Sequence, residues 1–233
     1  MIKIILTFVI SIIFGYLFGN ISNARILSKI VHQDITKLGS GNPGTMNMTR
    51  SFGLLMGLLT LILDILKAVI PCLLAYFTAK YYLEGFVNIL VYTTGLSVVL
   101  GHAFPIFYKF KGGKGVASTI GIFFVLYPLW TLAFLGLGLI VLLVTQIGSL
   151  TSFTVIIGLC VIGYVFAGHY AEFILISIIL LLVLFLHRNN IKKLFTGKEN
   201  RVSIFKKTKK IEDLNTITNN SDETNSQEEN KGE

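Results

Sequence analysis

The chain has 233 residues, of which 53% are hydrophobic and 14% charged, and its formal net charge is +8. A mean hydropathy of +0.74 lies far outside the range of soluble domains, so the composition indicates an integral membrane protein. Because the cations stand beside apolar runs, where they set topology and meet anionic lipid, the positive charge gives no support to a nucleic-acid partner.

The first predicted span runs from Ile2 to Phe18 and crosses a bilayer core of about 30 Å if it continues to Ile21. A cleaved signal peptide is the alternative. Its small-residue cleavage pattern is poor and further spans follow, which favours a retained helix. Residues 25–50 then carry several lysines and arginines and a single acid, Asp34. The positive-inside rule therefore predicts that this segment is cytoplasmic and that the N-terminus lies outside.

Residues 39–50 form a polar stretch that reads Gly-Ser-Gly-Asn-Pro-Gly-Thr-Met-Asn-Met-Thr-Arg. Closely spaced glycines let backbone N–H groups approach a ligand, while Ser40, Asn42 and Asn47 offer neutral hydrogen bonds. Arg50 adds a guanidinium, so the stretch is typical of a loop that binds an anion such as phosphate. A flexible juxtamembrane loop rich in turn-forming residues is the alternative.

The second predicted span covers about residues 53–78 and carries Asp64 and Lys67, three positions apart and therefore on one helical face. A charged side chain at mid-membrane costs about 2.5–3.5 kcal/mol on insertion scales. We therefore expect the pair to face the bundle interior or to lie near the polar boundary. A mutually neutralising structural pair is favoured over a catalytic role. A third span, residues 86–100, returns the chain to the cytoplasm.

A second polar stretch, residues 101–117, follows on the same predicted side of the membrane. Gly112, Gly113 and Gly115 surround Lys114 with flexible backbone, which suits a lysine that reaches a phosphate. A Walker-type nucleotide loop is excluded, because the chain lacks both the glycine that precedes the Gly-Lys pair and the hydroxyl residue that follows it. Juxtamembrane lysines that only set topology are the alternative, but they do not explain the glycines.

From Val116 to Gln146 the chain stays apolar for too long to form one ordinary span, and Pro128 divides it into two predicted helices. A third polar patch with Ser149 and Ser152 follows on the cytoplasmic side. Taken alone, hydroxyls at a helix start indicate caps. The last predicted spans are residues 153–167 and 171–186.

The chain is strongly basic from His187 to Lys210, which predicts a cytoplasmic C-terminus. The predicted fold is thus an all-α integral membrane protein, a single bundle of about seven transmembrane helices with the N-terminus outside. Residues 1–201 form the membrane-embedded domain. Residues 202–233, basic and then acidic, are predicted to be a disordered cytoplasmic tail.

These motifs resemble those of the bacterial acyl-phosphate:glycerol-3-phosphate acyltransferases of phospholipid synthesis over about residues 1–201. The first family motif is similar to residues 34–35, 39–44 and 47–50, and the second to residues 101–102, 104–105 and 110–117. A third motif is similar to Ser149-Leu150 with Ser152, and a last pattern to His187, Asn190-Ile191, Lys193-Leu194, Gly197 and Glu199. The chain departs from the family where Thr36 and Gln146 replace arginines and where Thr45-Met46 replaces Ala-Thr.

The resemblance implies transfer of a fatty acyl chain from acyl phosphate to the 1-hydroxyl of glycerol 3-phosphate, which gives lysophosphatidic acid and phosphate. It implies a multi-pass protein of the cell membrane whose active site lies at the cytoplasmic face. The implied partners are the two substrates and membrane lipid, and neither a cofactor nor a metal is implied. The oligomeric state is left open.

The resemblance assigns Ser40, Asn42 and Lys114 as candidate catalytic residues that stabilise the donor phosphate or the developing oxyanion. Further candidate substrate-binding residues are Gly41, Gly44, Asn47, Arg50, Lys111, Gly112, Gly113, Ser149, Ser152, His187 and Asn190. Among these, Arg50, His187 and Asn190 are expected to hold glycerol 3-phosphate. Two phosphates of roughly −1.5 to −2 charge each need several cations, which Arg50, Lys114 and either Lys111 or Lys193 supply.

No histidine of the chain is followed by an acid at the spacing of the histidine–aspartate dyad in thioester-dependent acyltransferases. Because acyl phosphate is a reactive mixed anhydride, positioning and charge stabilisation are expected to suffice, with a substrate phosphate taking the proton. A small transporter of an anionic solute is the alternative function. An odd number of spans, no internal repeat and polar loops on one side argue against it. Cys72 and Cys160 lie inside apolar segments and indicate neither a disulfide nor a metal site.

Overall fold

The computed structural model describes residues 1–202, so most of the predicted tail lies outside the described residues. Within that range, the secondary structure is helical apart from one antiparallel bridge between Ile147 and Arg201. The α-helices are α1 (Ile2–Gly19), α2 (Asn23–Ile30), α3 (Thr45–Phe52), α4 (Leu54–Tyr82), α5 (Val87–Ala103), α6 (Val116–Leu126), α7 (Pro128–Thr145), α8 (Gly148–Val165), α9 (Tyr170–Leu186) and α10 (Arg188–Phe195).

The apolar helices confirm the predicted all-α membrane architecture. Within residues 1–202, five helical segments are long and apolar enough to cross a membrane, and a sixth if α9 and α10, bent by 59°, form one broken span. Each of the seven predicted spans falls on an apolar helix, but α6 has only 11 residues. At 1.5 Å per residue it covers about half of a 30 Å core. The number of crossings and the sides of the termini therefore stay predictions.

Pro128 divides the long apolar segment into two helices at the predicted place. Helix α6 stops at Leu126, and Pro128 occupies the first turn of α7. A proline lacks the backbone N–H that a continuing helix needs, but the first turn of a new helix leaves that position without a partner anyway. The two helices are therefore separate, as the sequence predicts.

Two parts of the fold differ from the sequence prediction. The polar segment after the first span is not only a loop, because it contains the short helices α2 and α3, and Arg50 lies in the last turn of α3. Helix α8 begins at Gly148, several residues earlier than predicted, and its N-cap Ile147 makes no side-chain cap. The predicted capping role of the nearby hydroxyls is therefore wrong, since Ser152 Oγ donates to the carbonyl of Gly148 at 2.9 Å.

The core lies where α5, α6, α8 and α9 meet. Tyr92, Phe123, Leu159 and Ile176 are fully or almost fully buried there, and the rings of Tyr92 and Phe123 meet edge to face at 5.8 Å. Offset aromatic pairs of this kind add stability beyond the buried area. This packing holds the ends of α5 and α9 beside the beginnings of α6 and α8, which together border one cavity.

Helices α1 and α5 pack closely because glycines face each other where they cross. A Cβ atom built on Gly19 would lie 2.9 Å from the Cα of Gly101, which is closer than real Cβ atoms approach other atoms. Small residues at such crossings let helix backbones approach in a membrane, where dispersion contacts replace the hydrophobic effect. This contact places the start of the second polar stretch against the end of α1.

Candidate active site

A cavity of about 520 Å³ opens at the end of the bundle where α5 and α9 finish. Its volume lies within the roughly 300–1,000 Å³ that is usual for small-molecule sites. One part of its wall is polar and the other apolar. The polar wall contains Ser40, Gly41, Asn42, Gly44, Asn47, Arg50, Gly112, Lys114, Ser149, Ser152, His187, Asn190, Lys193 and Glu199.

A chain of side-chain hydrogen bonds orients Lys114 at the polar wall. The Nζ of Lys114 donates to Oδ1 of Asn190, and Nδ2 of the same asparagine donates to Oε1 of Glu199 at 2.6 Å. Lys114 comes from the loop before α6, Asn190 from α10, and Glu199 from the segment after α10. The final described segment of the chain therefore positions the central cation.

Arg50 is held by that same segment. Its guanidinium donates to the carbonyl of Asn200 at 3.3 Å, while its Nε is buried and has no acceptor among residues 1–202. The chain beyond α10 returns to the connection between α7 and α8, where the N–H of Val202 donates to the carbonyl of Gln146 at 2.7 Å. The predicted domain boundary after residue 201 thus falls one residue before a side chain that is buried.

Burial alters the acidity of both cations. It lowers the pKa of Lys114 to about 8, while the nearby Glu199 carboxylate acts in the opposite direction. Burial also lowers the pKa of Arg50, and Glu199 again opposes the shift. A partly desolvated cation gains from an anionic ligand, because the ligand replaces the charge stabilisation that water no longer provides. The polar wall is therefore suited to an anion.

The hydroxyl of Ser149 is a second donor without a partner. The side chain is buried, and its Oγ makes no hydrogen bond to any described residue. Buried polar atoms are nearly always paired in native proteins, so an unpaired one that borders a cavity is a natural contact for a ligand. Ser152, which also borders the cavity, already donates within its own helix.

His187 lies where α9 ends, and its ring is fixed in one orientation. Its Nδ1 donates to the carbonyl of Val183 at 2.8 Å, and Phe153 contacts the ring edge to face at 5.3 Å between centroids. Because the backbone oxygen is only an acceptor, Nδ1 carries the hydrogen. Nε2 is therefore the ring atom that is left for a ligand in the cavity.

The glycine-rich stretches do not offer free backbone donors at the expected positions. The N–H groups of Gly112 and Gly113 donate to the carbonyls of Ala103 and His102 at 3.0 Å each. In the first polar stretch, the N–H of Gly41 donates to Leu38 at 2.9 Å. The expectation that these amides are exposed to a ligand is therefore wrong. The glycines instead allow close backbone approach, since a Cβ on Gly113 would overlap the ring of His102.

Asn47 shows why the first polar stretch has its shape. Its side-chain amide donates to the carbonyls of Ile35 and Leu38 at 3.2 and 2.9 Å, and its Oδ1 accepts from the N–H of Ser40 at 2.9 Å. The polar atoms of this buried side chain are thus engaged by the loop around it. The same contacts orient Ser40 at the edge of the cavity.

Three helix starts border the cavity. Residues 45–46, 115–117 and 148–149 border it, and these residues begin α3, α6 and α8. The first turn of a helix leaves N–H groups without intrahelical partners and carries a partial positive charge. Three such ends around one cavity form an anion-binding arrangement that supplements the cationic side chains.

Below the polar wall lies a buried network around Asp64 and Lys67. Their side chains form an ion pair at 2.9 Å, and the ammonium also donates to the carbonyl of Ile21 and contacts Nδ1 of His102, both at 2.7 Å. Asn23 donates to the carboxylate at 2.9 Å. The prediction that this pair faces the bundle interior is confirmed. Its contacts join α4 to α5, to α2 and to the connection between α1 and α2, so the pair supports the floor of the cavity.

The apolar wall extends from the cations toward the outer surface of α7. It is formed by Leu61, Ile120, Leu135, Leu139, Leu142 and Val155. Leu139 is 54% exposed on the bundle surface, so this part of the wall reaches the surroundings of the helices. A ligand with an anionic head and a long apolar chain matches both walls at once.

Two predicted site residues lie outside this cavity. Lys111 is exposed and lines a neighbouring cavity, while Gly113 packs against His102 behind the wall. The sequence left open whether Lys111 or Lys193 adds the third cation, and it is Lys193 that borders the cavity. Sequence reasoning gave no role to Met46, Glu199 and Asn200. Only Glu199 had a signal, since it belongs to the pattern after the last span.

Comparisons with known proteins give one consistent result. The family model described as glycerol-3-phosphate acyltransferase matches residues 9–197. The glycerol-3-phosphate acyltransferase of Aquifex aeolicus (strain VF5) is 37% identical over 82% of this chain and 96% of its own length. That of Finegoldia magna is 40% identical over 80% of this chain and 92% of its own length.

Solved structures agree with the sequence comparisons. The crystal structure of PlsY, an integral membrane glycerol 3-phosphate acyltransferase, in its glycerol 3-phosphate form matches with a TM-score of 0.75. The two chains are 35% identical, and the match covers 84% of this chain and 96% of the other. The lysophosphatidic acid form of the same enzyme matches with a TM-score of 0.74 and 34% identity.

Proposed function

This chain belongs to the glycerol-3-phosphate acyltransferase family, and on that basis we propose that it transfers a fatty acyl group from acyl phosphate to the 1-hydroxyl of glycerol 3-phosphate. The products are then lysophosphatidic acid and inorganic phosphate. Family membership makes the chain an acyltransferase and removes support from the alternative of a transporter. The acyl phosphate donor, the position of acylation and the face of the membrane are the proposed parts.

One observation carries the proposal, namely a single cavity with a cationic wall and an apolar wall. Arg50, Lys114 and Lys193 stand at one side, and leucines of α7 stand at the other. Acyl phosphate needs both walls, because it joins a charged phosphate to a long hydrocarbon chain. Glycerol 3-phosphate needs only the cationic wall, which fits its approach from water.

We divide the polar groups of the cavity between the two substrates. Ser40, Asn42 and Lys114 all border the cavity, and Lys114 lies two residues before the start of α6, where the helix end adds positive potential. We assign these groups to the donor phosphate and to the negative charge that develops on the acyl oxygen. Arg50, His187 and Asn190 border the same cavity and are assigned to glycerol 3-phosphate.

In the reaction, the 1-hydroxyl oxygen forms a bond to the acyl carbonyl carbon. The bond from that carbon to the phosphate oxygen breaks, and the phosphate leaves with the electron pair. The hydroxyl proton goes to a phosphate oxygen of one of the substrates, since a phosphate dianion accepts a proton with a pKa of about 6. The contribution of the protein is to align the two substrates and to stabilise the developing charge.

We place the site at the cytoplasmic face, on the positive-inside argument applied to the loops around it. The segments that form the cavity contain Arg50, Lys114 and Lys193, and Lys111 lies on the same loop as Lys114, so these segments are rich in cations. Water-soluble glycerol 3-phosphate then enters the site from the cytoplasm, and the acyl chain of the donor enters from the bilayer. The membrane-embedded part of the chain is proposed to form one functional domain.

The decisive test is an assay of purified full-length protein with palmitoyl phosphate and glycerol 3-phosphate. We expect lysophosphatidate and phosphate in equal amounts, and no product when palmitoyl coenzyme A replaces the donor. Lys114→Ala should abolish turnover, whereas Lys198→Ala, which changes an exposed lysine outside the cavity lining, should retain it. Product formation from the thioester but not from acyl phosphate would refute the proposed donor.

A further inference from the structure

A second cavity of about 470 Å³ lies next to the active-site cavity. Gly41 and Gly112 border both cavities, so two stretches of glycine backbone separate them. Its remaining lining residues are Arg25, Thr36, Pro43, Phe107, Tyr108, Lys109 and Lys111. None of these side chains takes part in the proposed acyl transfer, and the cavity therefore needs an explanation of its own.

The lining of the second cavity is strongly cationic. Its described lining contains Arg25, Lys109 and Lys111 and no acid. Asp34, whose carboxylate accepts from Thr36, lies near Arg25 but outside this lining. Three neighbouring cations repel one another, so an arrangement that keeps them together gains from an anion placed between them. Phosphate suits such a site, because a guanidinium fork and ammonium groups bind its oxygens well.

Arg25 is held ready for such a ligand. Its guanidinium stacks over the ring of Tyr108 at 4.6 Å and donates through one terminal nitrogen to the carbonyl of Lys111 at 2.8 Å. Its Nε is buried without an acceptor among residues 1–202. An arginine that is fixed on both sides but keeps an unpaired buried donor has hydrogen-bonding capacity left for an anion.

The loop that borders the second cavity combines aromatic and basic residues. Phe107 and Lys109 line the cavity, Phe110 follows them in the chain, and the two phenylalanines are 73% and 58% exposed. The loop is anchored from below, because Oδ1 of Asn20 accepts from the N–H of Ile106 at 2.6 Å. Exposed aromatic side chains next to basic ones are typical of the membrane–water interface. This composition fits a loop at the depth of lipid headgroups, and the shared Gly41 and Gly112 put the second cavity at the same end of the bundle as the active-site cavity.

We propose that this second cavity binds a phosphate group at the membrane surface. Its ligand is a phosphate carried by an anionic phospholipid headgroup or by a small soluble phosphate compound. The cations recognise the phosphate in both cases, and the exposed phenylalanines contact acyl chains in the first. The site is distinct from the proposed active site, since its three cations lie outside the lining of that cavity.

The test measures binding to the full chain, purified in neutral detergent and freed of lipid. Phosphatidylglycerol binding is followed by native mass spectrometry. Inorganic phosphate binding is followed by equilibrium dialysis with radiolabel, and the same measurement on Lys114→Ala separates phosphate bound in the active-site cavity from phosphate bound in the second cavity. The main variant is Lys109→Gln/Lys111→Gln, because both lysines are exposed and their replacement should not impair folding. Arg25→Gln is the second variant. The control Lys29→Gln/Lys192→Gln removes the same charge at exposed sites outside both cavity linings.

We expect the main variant to weaken binding about tenfold or more and the control to change it less than twofold. A loss confined to phosphatidylglycerol identifies the lipid as the source of the phosphate, and a loss confined to inorganic phosphate identifies a soluble ligand. If the main variant and Arg25→Gln bind both probes as the wild type does, the proposal is wrong. Because the readout is binding, the result does not depend on the chemistry of acyl transfer.

Discussion

The pH dependence of turnover tests the proposed role of Lys114. Burial lowers the pKa of this ammonium to about 8, and stabilisation of phosphate requires the protonated form. The sign follows directly, since raising the pH removes the charge and therefore activity. At pH 7, 8 and 9 the protonated fraction is about 90, 50 and 10%. The value of kcat/KM should thus fall about tenfold for each pH unit well above 8.

Lys114→Arg supplies the decisive comparison, because an arginine stays protonated to about pH 12. A guanidinium differs from an ammonium in shape and donor geometry, so we expect this variant to turn over more slowly at pH 7. Its kcat/KM should nevertheless stay level between pH 7.5 and 9.5, where the wild type declines. The substrate phosphate, with a second pKa of about 6, is already a dianion throughout this range.

The assay follows labelled lysophosphatidate at glycerol 3-phosphate concentrations well below KM, so that the profile reports the free enzyme. Parallel samples without enzyme correct for spontaneous hydrolysis of the donor at each pH. If kcat/KM of Lys114→Arg falls above pH 8 as steeply as that of the wild type, a group other than Lys114 causes the decline and the assignment of Lys114 fails. A wild-type profile that stays level to pH 10 would refute the lowered pKa.

Three further substitutions test other parts of the site. Lys193→Ala removes a cavity cation and should raise KM for glycerol 3-phosphate by about tenfold or more, whereas the exposed neighbour Lys192→Ala should leave it unchanged; equal values in steady-state assays would exclude Lys193 from the site. Ser149→Ala removes an unpaired buried hydroxyl and should lower kcat/KM by about tenfold without lowering the thermal midpoint. Ser152→Ala is its control, because that hydroxyl already bonds within its helix, and a larger loss in the control would contradict the assignment. Gly113→Ala would overlap a histidine ring and should destabilise the protein by about 1–3 kcal/mol, seen as a lower thermal midpoint in detergent; an unchanged midpoint would show that the ring moves aside easily.

The polar stretches around the cavity illustrate what patterns along the chain predict well. Charges and glycines between apolar runs are rare in a membrane protein, because each charge is unfavourable in lipid. Their positions therefore pointed to the residues that meet at one cavity, among them Arg50, Lys114 and His187. The buried pair of Asp64 and Lys67 follows from the same argument, since two opposite charges on one helical face stabilise each other.

Hydrogen-bond partners were much harder to predict. Flexible glycine backbone is compatible both with an exposed amide and with close packing, and the pattern alone does not distinguish them. In the folded chain, the N–H groups of Gly112 and Gly113 donate to carbonyls at the end of α5. The donors left for a ligand are side chains and the backbone N–H groups in the first turns of helices. Whether a backbone N–H group is left without an acceptor depends on the segments packed against it, and many of those segments are distant in sequence.

Local sequence thus determined the helices, the break at Pro128 and the polar residues available for binding, because hydropathy and backbone preference act over a few neighbouring residues. Only the tertiary structure decided that Lys193 and not Lys111 borders the active-site cavity, and that Glu199 and Asn200 hold its cations. The physical reason is separation along the chain: the segment after α10 reaches α3 through a contact between residues 150 positions apart, and α10 reaches the loop before α6 through one between residues 76 positions apart. Contacts of that range follow from how the helices pack, which no short pattern specifies.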